Sequence, residues 1–355
     1  MAAPFTFGFG DEEDEEMGGD GAAVSRIVGG DAPAVRAQSH KLDDLLSSLP
    51  SKISFSSTTL ESPKGRTFTL FRRELFDIRM QLMAEEDTDS SALPGLDSSD
   101  IKTNIYEGGF KSWECSLDLA RLLLDRGPRK DLDDLCRVDH VVELGCGTAI
   151  PTQILWHYAL TEGLSLYFTL TDYNSSVLRL VTLPNLILTW ASTLPANSAP
   201  FSPSSPNPLL QTSSSGDLEL TPELLHAFKK RLQEQNIPLT LISGSWTPLA
   251  PFLSLIPGSS HADEMNTLIL ASETIYSPAS LASFTDTLVG LLKRARMCKG
   301  MVAAKRVYFG VGGSVDQFRV EASERGAVAC EIDNTHFPRE ESGGVARWLG
   351  EVQMM

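Results

Sequence analysis

Residues 140–148 read HVVELGCGT and residues 166–174 read LYFTLTDYN. Each is a short, largely apolar run closed by a polar turn, which is the signature of a strand buried on both faces. Working outward, the same unit recurs. A helical pattern follows Ile150, and SSVLRLV (175–181) follows the second run. LTLIS (239–243) precedes a short element before Pro257, and TLILA (267–271) precedes PASLASFTDTLVGLLKRAR. GMVAAKRVYF (300–309) precedes a helix from about Ser314, and VACEID (328–333) and ARWLGEV (346–352) close the chain. Buried strands interleaved with helices predict a doubly wound α/β fold: a mostly parallel, seven-stranded sheet with an antiparallel strand near the C-terminus.

Composition bounds what that fold can do. With 355 residues, 42% of them hydrophobic, the chain can bury a sizeable core, so wholesale disorder is excluded. Thirty Lys and Arg stand against 46 Asp and Glu, a net charge of -16, which argues against a broad grip on nucleic-acid phosphates. Cys115, Cys136, Cys146, Cys298 and Cys330 are widely spaced, with no CxxC pair. That suits reduced thiols in the cytoplasm or nucleus and offers no metal site. The first residues lack a signal-peptide pattern, and no run approaches the ~18 apolar residues of a membrane span. A soluble monomer of the cytoplasm and nucleus is expected.

Ahead of the sheet, residues 1–40 carry small residues and the acidic run Asp11–Glu16, and are expected to be a disordered tail. Residues 41–100 are expected to form an arm (SKISFSSTTL), one helix (FTLFRRELFDIRMQLM, with Leu75, Ile78, Leu82 and Met83 at helical spacing) and the linker DTDSSALPGLDSSD. The main domain is expected over 101–355. In it Ser116 would cap a helix that stops before Gly127 and Pro128, and the Ser/Pro-rich stretch at about 191–221 would be a disordered insertion.

Gly145 and Gly147 lie where the first strand turns into its helix, so the backbone can approach a ligand there and offer unpaired N–H groups. The third glycine of a dinucleotide GxGxxG would fall at Ile150, which disfavours a pyrophosphate and a nicotinamide oxidoreductase. Asp172 ends the second strand and would stand beside the glycine turn, able to accept both ribose hydroxyls of an adenosine; its alternative role is a helix cap. Glu273 and Tyr276 follow the fourth strand in SETIY and should face the reacting groups, the alternative being a capping Glu and a half-buried Tyr.

ELGCGT with Asp172 resembles the motifs of seven-stranded S-adenosylmethionine-dependent methyltransferases. Longer strings are narrower. IYEGGFKSWECSLDLARLL, LTDYNSSVLRLVTLPNL, SGSW, LILASETIY, AAKRVYFGVGGSVDQF and RRELFDIRMQLM resemble the protein-histidine N-methyltransferase family. The resemblance runs from about Phe55 to the C-terminus, the Ser/Pro stretch excepted. It implies S-adenosyl-L-methionine as methyl donor and a histidine of a large-subunit ribosomal protein as substrate. It places cofactor contacts on Trp113, Glu114, Cys115, Ser116, Gly145, Gly147, Asp172, Tyr173, Asn174, Gly244, Ser245, Trp246 and Ser272, and the catalytic pair on Glu273 and Tyr276. Glu273 would orient the imidazole, with Asp118 and Glu114 as alternatives. GVGGSVDQF would form a wall of the substrate channel. Methylation of a lysine, or a non-catalytic chaperone on the same fold, stays open on the residues themselves.

Overall fold

The computed structural model describes residues 35–85, 109–130, 138–211, 213–258, 265–295, 297–310, 312–332 and 346–355. In chain order, strand β1 (Gln38–His40) and helix α1 (Leu42–Ser47) precede a hairpin of β2 (Lys52–Glu61) and β3 (Thr67–Arg73), then α2 (Leu75–Ala84) and α3 (Glu114–Lys130). The alternating units follow: β4 (His140–Leu144), α4 (Ile150–Glu162), β5 (Tyr167–Asp172), α5 (Ser175–Val177) and α6 (Leu183–Ser192), these two helices joined by a π-turn at Leu178–Thr182. Then come β6 (Ser215–Glu219), α7 (Pro222–Glu234), β7 (Leu239–Ser243), α8 (Leu249–Leu255), β8 (Thr267–Ser272), α9 (Pro278–Leu292), β9 (Cys298–Lys305), α10 (Val315–Glu324), β10 (Ala327–Glu331) and β11 (Arg347–Met354).

The main sheet has the order β1-β7-β5-β4-β8-β9-β11-β10. From β7 to β9 the strands are parallel, while β11 runs antiparallel to both β9 and β10. Every residue of β4 is buried, and side chains alternate strictly between two cores. Val141, Leu170, Leu268 and Met301 pack under α3, α4, α6 and α7. Val142, Leu144, Ile269 and Val302 pack under α8, α9 and α10. The period of two, with apolar residues in both phases, is what a two-faced burial demands. Chain direction across the sheet reverses at β4: β5 and β7 add on one side, β8 and β9 on the other. The crevice at such a switch point, beyond the strand tips, is where ligands bind in open α/β sheets.

Several expectations change. Residues 38–40 are not part of a disordered tail: β1 pairs antiparallel with β7, Ser39 opposite Ile242, and makes the sheet eight-stranded. FTLFRR is not helical. Phe68 and Leu70 of β3 point to one side of a strand paired with β2, Phe71 and Arg73 to the other, and only from Leu75 does the helix run, with Ile78 and Leu82 buried and Met83 exposed. Arg73 is buried because its guanidinium donates to Asp77 (2.6 Å), Gln81 (2.7 Å) and the Leu180 carbonyl (3.1 Å), which ties the hairpin to the π-turn.

The Ser/Pro-rich stretch is ordered. Buried Asn207 donates to the carbonyls of Ala191 (2.8 Å) and Leu194 (3.1 Å), and β6 adds a third strand beside β2 with Leu218 in the core. Helix α3 starts two residues before Ser116, whose hydroxyl donates to the Trp113 carbonyl (2.6 Å), and it runs on through Gly127 and Pro128 to Lys130. The acidic run Asp11–Glu16 and the linker DTDSSALPGLDSSD lie outside the described residues.

Candidate active site

The tips of β4 and β5 meet through one carboxylate. Asp172 Oδ2 accepts the Gly147 N–H (2.9 Å) and Oδ1 accepts the Asn174 N–H (3.0 Å), while the Cys146 N–H donates to the Thr171 carbonyl (2.8 Å). Asp172 therefore clamps the glycine bend to the neighbouring strand rather than capping a helix. Gly145 has φ +65, a conformation that side chains resist. A Cβ there would come within 3.0 Å of Thr274 Cγ2 and 3.8 Å of Trp246 Cζ2, so the missing side chain keeps a floor open between the walls. The π-turn supports this bend from behind, its Thr182 hydroxyl donating to the Gly147 carbonyl (2.7 Å).

Above the bend lies a cavity of ≈ 490 Å³, within the usual range of small-molecule sites. Of the residues predicted for the site, Trp113, Ser116, Gly145, Gly147, Asp172, Tyr173, Gly244, Ser245, Trp246, Ser272, Glu273 and Tyr276 line it. Glu114, Cys115 and Asn174 do not. Glu114 points outward to Lys305 (3.2 Å), Cys115 is fully buried behind the wall, and Asn174 touches the site through its backbone N–H on Asp172. Lys305 also stands over the Trp113 ring, 5.3 Å from its centroid, so one cation holds both Trp113 and Glu114 of the KSWEC segment. Burial works against the charge on Lys305, but Glu273 and Glu114 outweigh it and its pKa is raised. Burial, and then the Glu273 carboxylate, push the Cys115 thiol up, so it is a packed S–H and no nucleophile. Trp246 belongs to both readings of its ring: it packs on Phe284 (5.8 Å) and lines the cavity.

Three elements of the site were not singled out from the sequence. Gly109 lies against the bend: a Cβ on Gly147 would come 3.3 Å from its Cα. The backbone of Val35–Ala37 backs the cavity-lining Gly244 and Ser245, where the Ser245 N–H donates to the Val35 carbonyl (2.8 Å) and a Cβ on Gly244 would sit 2.6 Å from the Arg36 oxygen. Cavity-lining Ser280, Ser283 and Asp286 come from α9. Their helical spacing was legible, but nothing local marked that face as facing a cavity.

At the tip of β8, Glu273 has φ +57, an uncommon conformation for a side-chain-bearing residue and one that marks a held geometry. Its N–H donates to the Ala303 carbonyl (2.9 Å), its Oε2 accepts the Tyr308 hydroxyl (2.6 Å), and its Oε1 is buried with no hydrogen bond of good geometry, the weak Cys115 thiol donor lying within reach of the carboxylate. Ser277, not Glu273, caps α9, its side chain accepting the Ser280 N–H (3.2 Å). Buried Thr274 Oγ1 likewise has no hydrogen-bond partner. The described residues of GVGGSVDQF do not line the cavity. Gly313 instead props the loop from behind, donating to the Tyr276 carbonyl (3.0 Å) at a distance where a Cβ would meet the Ile275 oxygen at 2.0 Å.

No family model matches the chain. A Saccharomyces cerevisiae protein named Histidine protein methyltransferase 1 is 41% identical over 280 residues, which cover 76% of this chain and 71% of that protein. The protein of the same name from Schizosaccharomyces pombe is 36% identical over 323 residues, 90% of this chain and 84% of that one. A Rattus norvegicus homolog is 30% identical over 228 residues, covering 64% and 53%. The chain belongs to the histidine protein methyltransferase family. It is a methyltransferase that uses S-adenosylmethionine and acts on protein histidine, which sets aside the lysine and chaperone readings. The site fits that donor: the cradle at Gly145 is one a Cβ would fill, and the orphaned oxygens of Glu273 and Thr274 stand in or beside the same cavity.

Proposed function

We propose that the substrate is a histidine of a large-subunit ribosomal protein, and that Glu273 accepts the N–H of the imidazole nitrogen that is not methylated, with Tyr276 beside it at the entrance. The observation that carries the catalytic part is the buried Glu273 Oε1 without a well-formed hydrogen bond, at the edge of a cavity whose floor is the glycine bend. A buried carboxylate oxygen left unpaired is costly, so a site that holds one is complementary to a donor it has yet to receive.

When bound, S-adenosylmethionine supplies an activated methyl whose leaving group is a neutral thioether. Asp172 is suited to the ribose hydroxyls, Tyr173 and Trp246 to the adenine, and Trp113, Ser116, Gly244, Ser245 and Ser272 to the rest. Imidazole, with an ordinary pKa of ~6.5, is largely neutral at cellular pH and keeps one nitrogen lone pair. It therefore needs orientation more than a base. Glu273 Oε1 holds the ring N–H, which turns the other nitrogen toward the methyl. It then stabilises the positive charge that the ring gains and takes its proton.

The net charge of -16 suits a basic client and is poorly suited to nucleic acid. We place the enzyme, acting as a monomer, in cytoplasm and nucleus. Incubating it with labelled S-adenosylmethionine and ribosomal fractions should put label on a histidine of a large-subunit protein; label confined to non-ribosomal protein rejects that substrate. Glu273→Gln should lower kcat by roughly 100-fold while leaving cofactor affinity within a few fold. Unimpaired turnover at saturation, with lost cofactor binding, refutes the role given to Glu273.

A further inference from the structure

We infer that Tyr308 is a positioning residue that fixes where Glu273 presents its free oxygen to the substrate and so decides which imidazole nitrogen receives the methyl. This rests on the orienting role of Glu273 proposed above.

The Tyr308 oxygen stands between two partners. The Lys305 backbone N–H lies 3.2 Å away and can only donate, so the phenol must accept there. Its single proton is then committed to Glu273 Oε2, 2.6 Å away. Burial, followed by the negative charge of Glu273, pushes the phenol's pKa up, so the proton stays on Tyr308 across the working pH range. One carboxylate oxygen is thereby occupied, and Oε1 is the oxygen left without a well-formed hydrogen bond, with only the weak thiol donor of Cys115 near the carboxylate. The two oxygens are equivalent, so what Tyr308 fixes is the plane of the carboxylate and hence the place of its free acceptor; turning that plane would break a short hydrogen bond to a charged group.

Tyr308 is itself fixed. Its N–H donates to the Gly313 carbonyl (2.9 Å), and its carbonyl accepts the Gly312 N–H (3.1 Å). Gly313 in turn donates to the Tyr276 carbonyl (3.0 Å). A single loop therefore sets Tyr308 and the segment carrying Glu273 and Tyr276 in one register. With Glu273 backbone-bonded to Ala303, the carboxylate is defined at both ends.

Neutral imidazole has one N–H and one lone pair on opposite sides of the ring. An acceptor at one fixed point selects which nitrogen keeps the proton and which faces the methyl. In the transfer, that lone pair forms the N–C bond and the C–S bond breaks with its electron pair passing to sulfur. The ring N–H proton leaves to Glu273 Oε1 and then to solvent. If the carboxylate plane could turn, the acceptor would no longer sit at one point, the ring could dock in two ways and both nitrogens would be methylated.

Tyr308→Phe keeps the ring and deletes the hydroxyl. The test supplies labelled S-adenosylmethionine and protein extract from cells lacking this chain, with a no-enzyme control. Total protein is hydrolysed and the two methylhistidine isomers are separated. The expected result is a roughly 10-fold slower rate at saturating cofactor, calorimetric cofactor affinity within twofold of wild type, and a second isomer rising from trace to at least about a tenth of the product. A single isomer in wild-type proportion overturns the inference, whatever the rate. Partial unfolding would reduce total product without altering the ratio, so the ratio decides even for a destabilised variant. Glu273→Gln is run in parallel: full activity there overturns the orienting role itself, whereas its loss beside an isomer-pure Tyr308→Phe overturns only the part given to Tyr308.

Discussion

The chain has two glycine-rich turns after sheet strands, and they are glycine for different reasons. At Gly145, after β4, the constraint is a left-handed backbone over an open cavity, with walls at 3.0 and 3.8 Å from any added carbon. At Gly313, after β9, the backbone of Ile275 and Tyr276 fills the place, 2.0 Å from any added carbon, and no cavity is involved. The first turn makes room for a ligand. The second makes room for another loop, the one that carries Glu273. Similar letters in the sequence thus mark a binding surface in one place and a brace in the other.

That contrast breaks most visibly at Gly313→Ala. Backbone atoms cannot move aside as a side-chain tip can, so the β8 tip must shift; we expect about 3 kcal/mol of lost stability, a melting temperature lower by roughly 5–10 °C, and turnover nearly abolished. A variant that melts and turns over as wild type would show the brace to be idle. Gly145→Ala should behave in the opposite way. The left-handed residue costs about 1–2 kcal/mol, a modest change in melting, while S-adenosylmethionine affinity by calorimetry falls at least roughly 10-fold as the added methyl enters the floor. Equal losses of affinity and stability at both positions would erase the distinction.

A pH dependence sharpens the comparison beneath the first turn. Glu143 there is fully buried, accepting from the Thr152 N–H (3.2 Å) and hydroxyl, and burial pushes its pKa up to about 8. A pKa raised by folding contributes stability that is full below the unfolded value of 4.5 and is lost as pH rises to about 8. Wild-type stability from urea melts should therefore fall across that window, by up to about 1.4 kcal/mol per pH unit. Glu143→Gln, which cannot ionise, should flatten this part of the profile; parallel profiles would mean that Glu143 does not carry it.

The five strands that build the parallel body were legible because each is buried on both faces and announces itself as an apolar run, and the antiparallel β10 and β11 were legible from the runs that close the chain. The two that were missed, β1 and β6, have little apolar content of their own: QSH is largely exposed, and SGDLE buries one leucine. Their strand character comes from the edges they pair with, which no local window contains. β3 was hidden for a different reason. FTLFRR runs straight into a true helix, and Phe68 and Leu70 alternate for too short a distance to stand apart from the helical spacing that follows.

At the site, residues attached to strand tips were legible because the tips converge in any doubly wound sheet. Gly109, Asp286 and Val35 arrive from elsewhere in the chain, and only packing reveals them. The resemblance of KSWECS placed that segment at the site but could not separate Trp113, which faces the cavity, from Glu114 and Cys115, which support it from outside and behind. Tyr308 carried no signal: a lone tyrosine after a strand looks like any half-buried ring until its hydroxyl is seen on Glu273.

Val35–Ala37 runs behind Gly244 and Ser245. A recombinant protein begun at residue 41, where the shift in composition invites a cut, would strip β7 of its edge partner and leave Gly244 and Ser245, which line the pocket, without the backbone behind them. Inactivity in such a shortened protein would then report the trimming and not the chemistry.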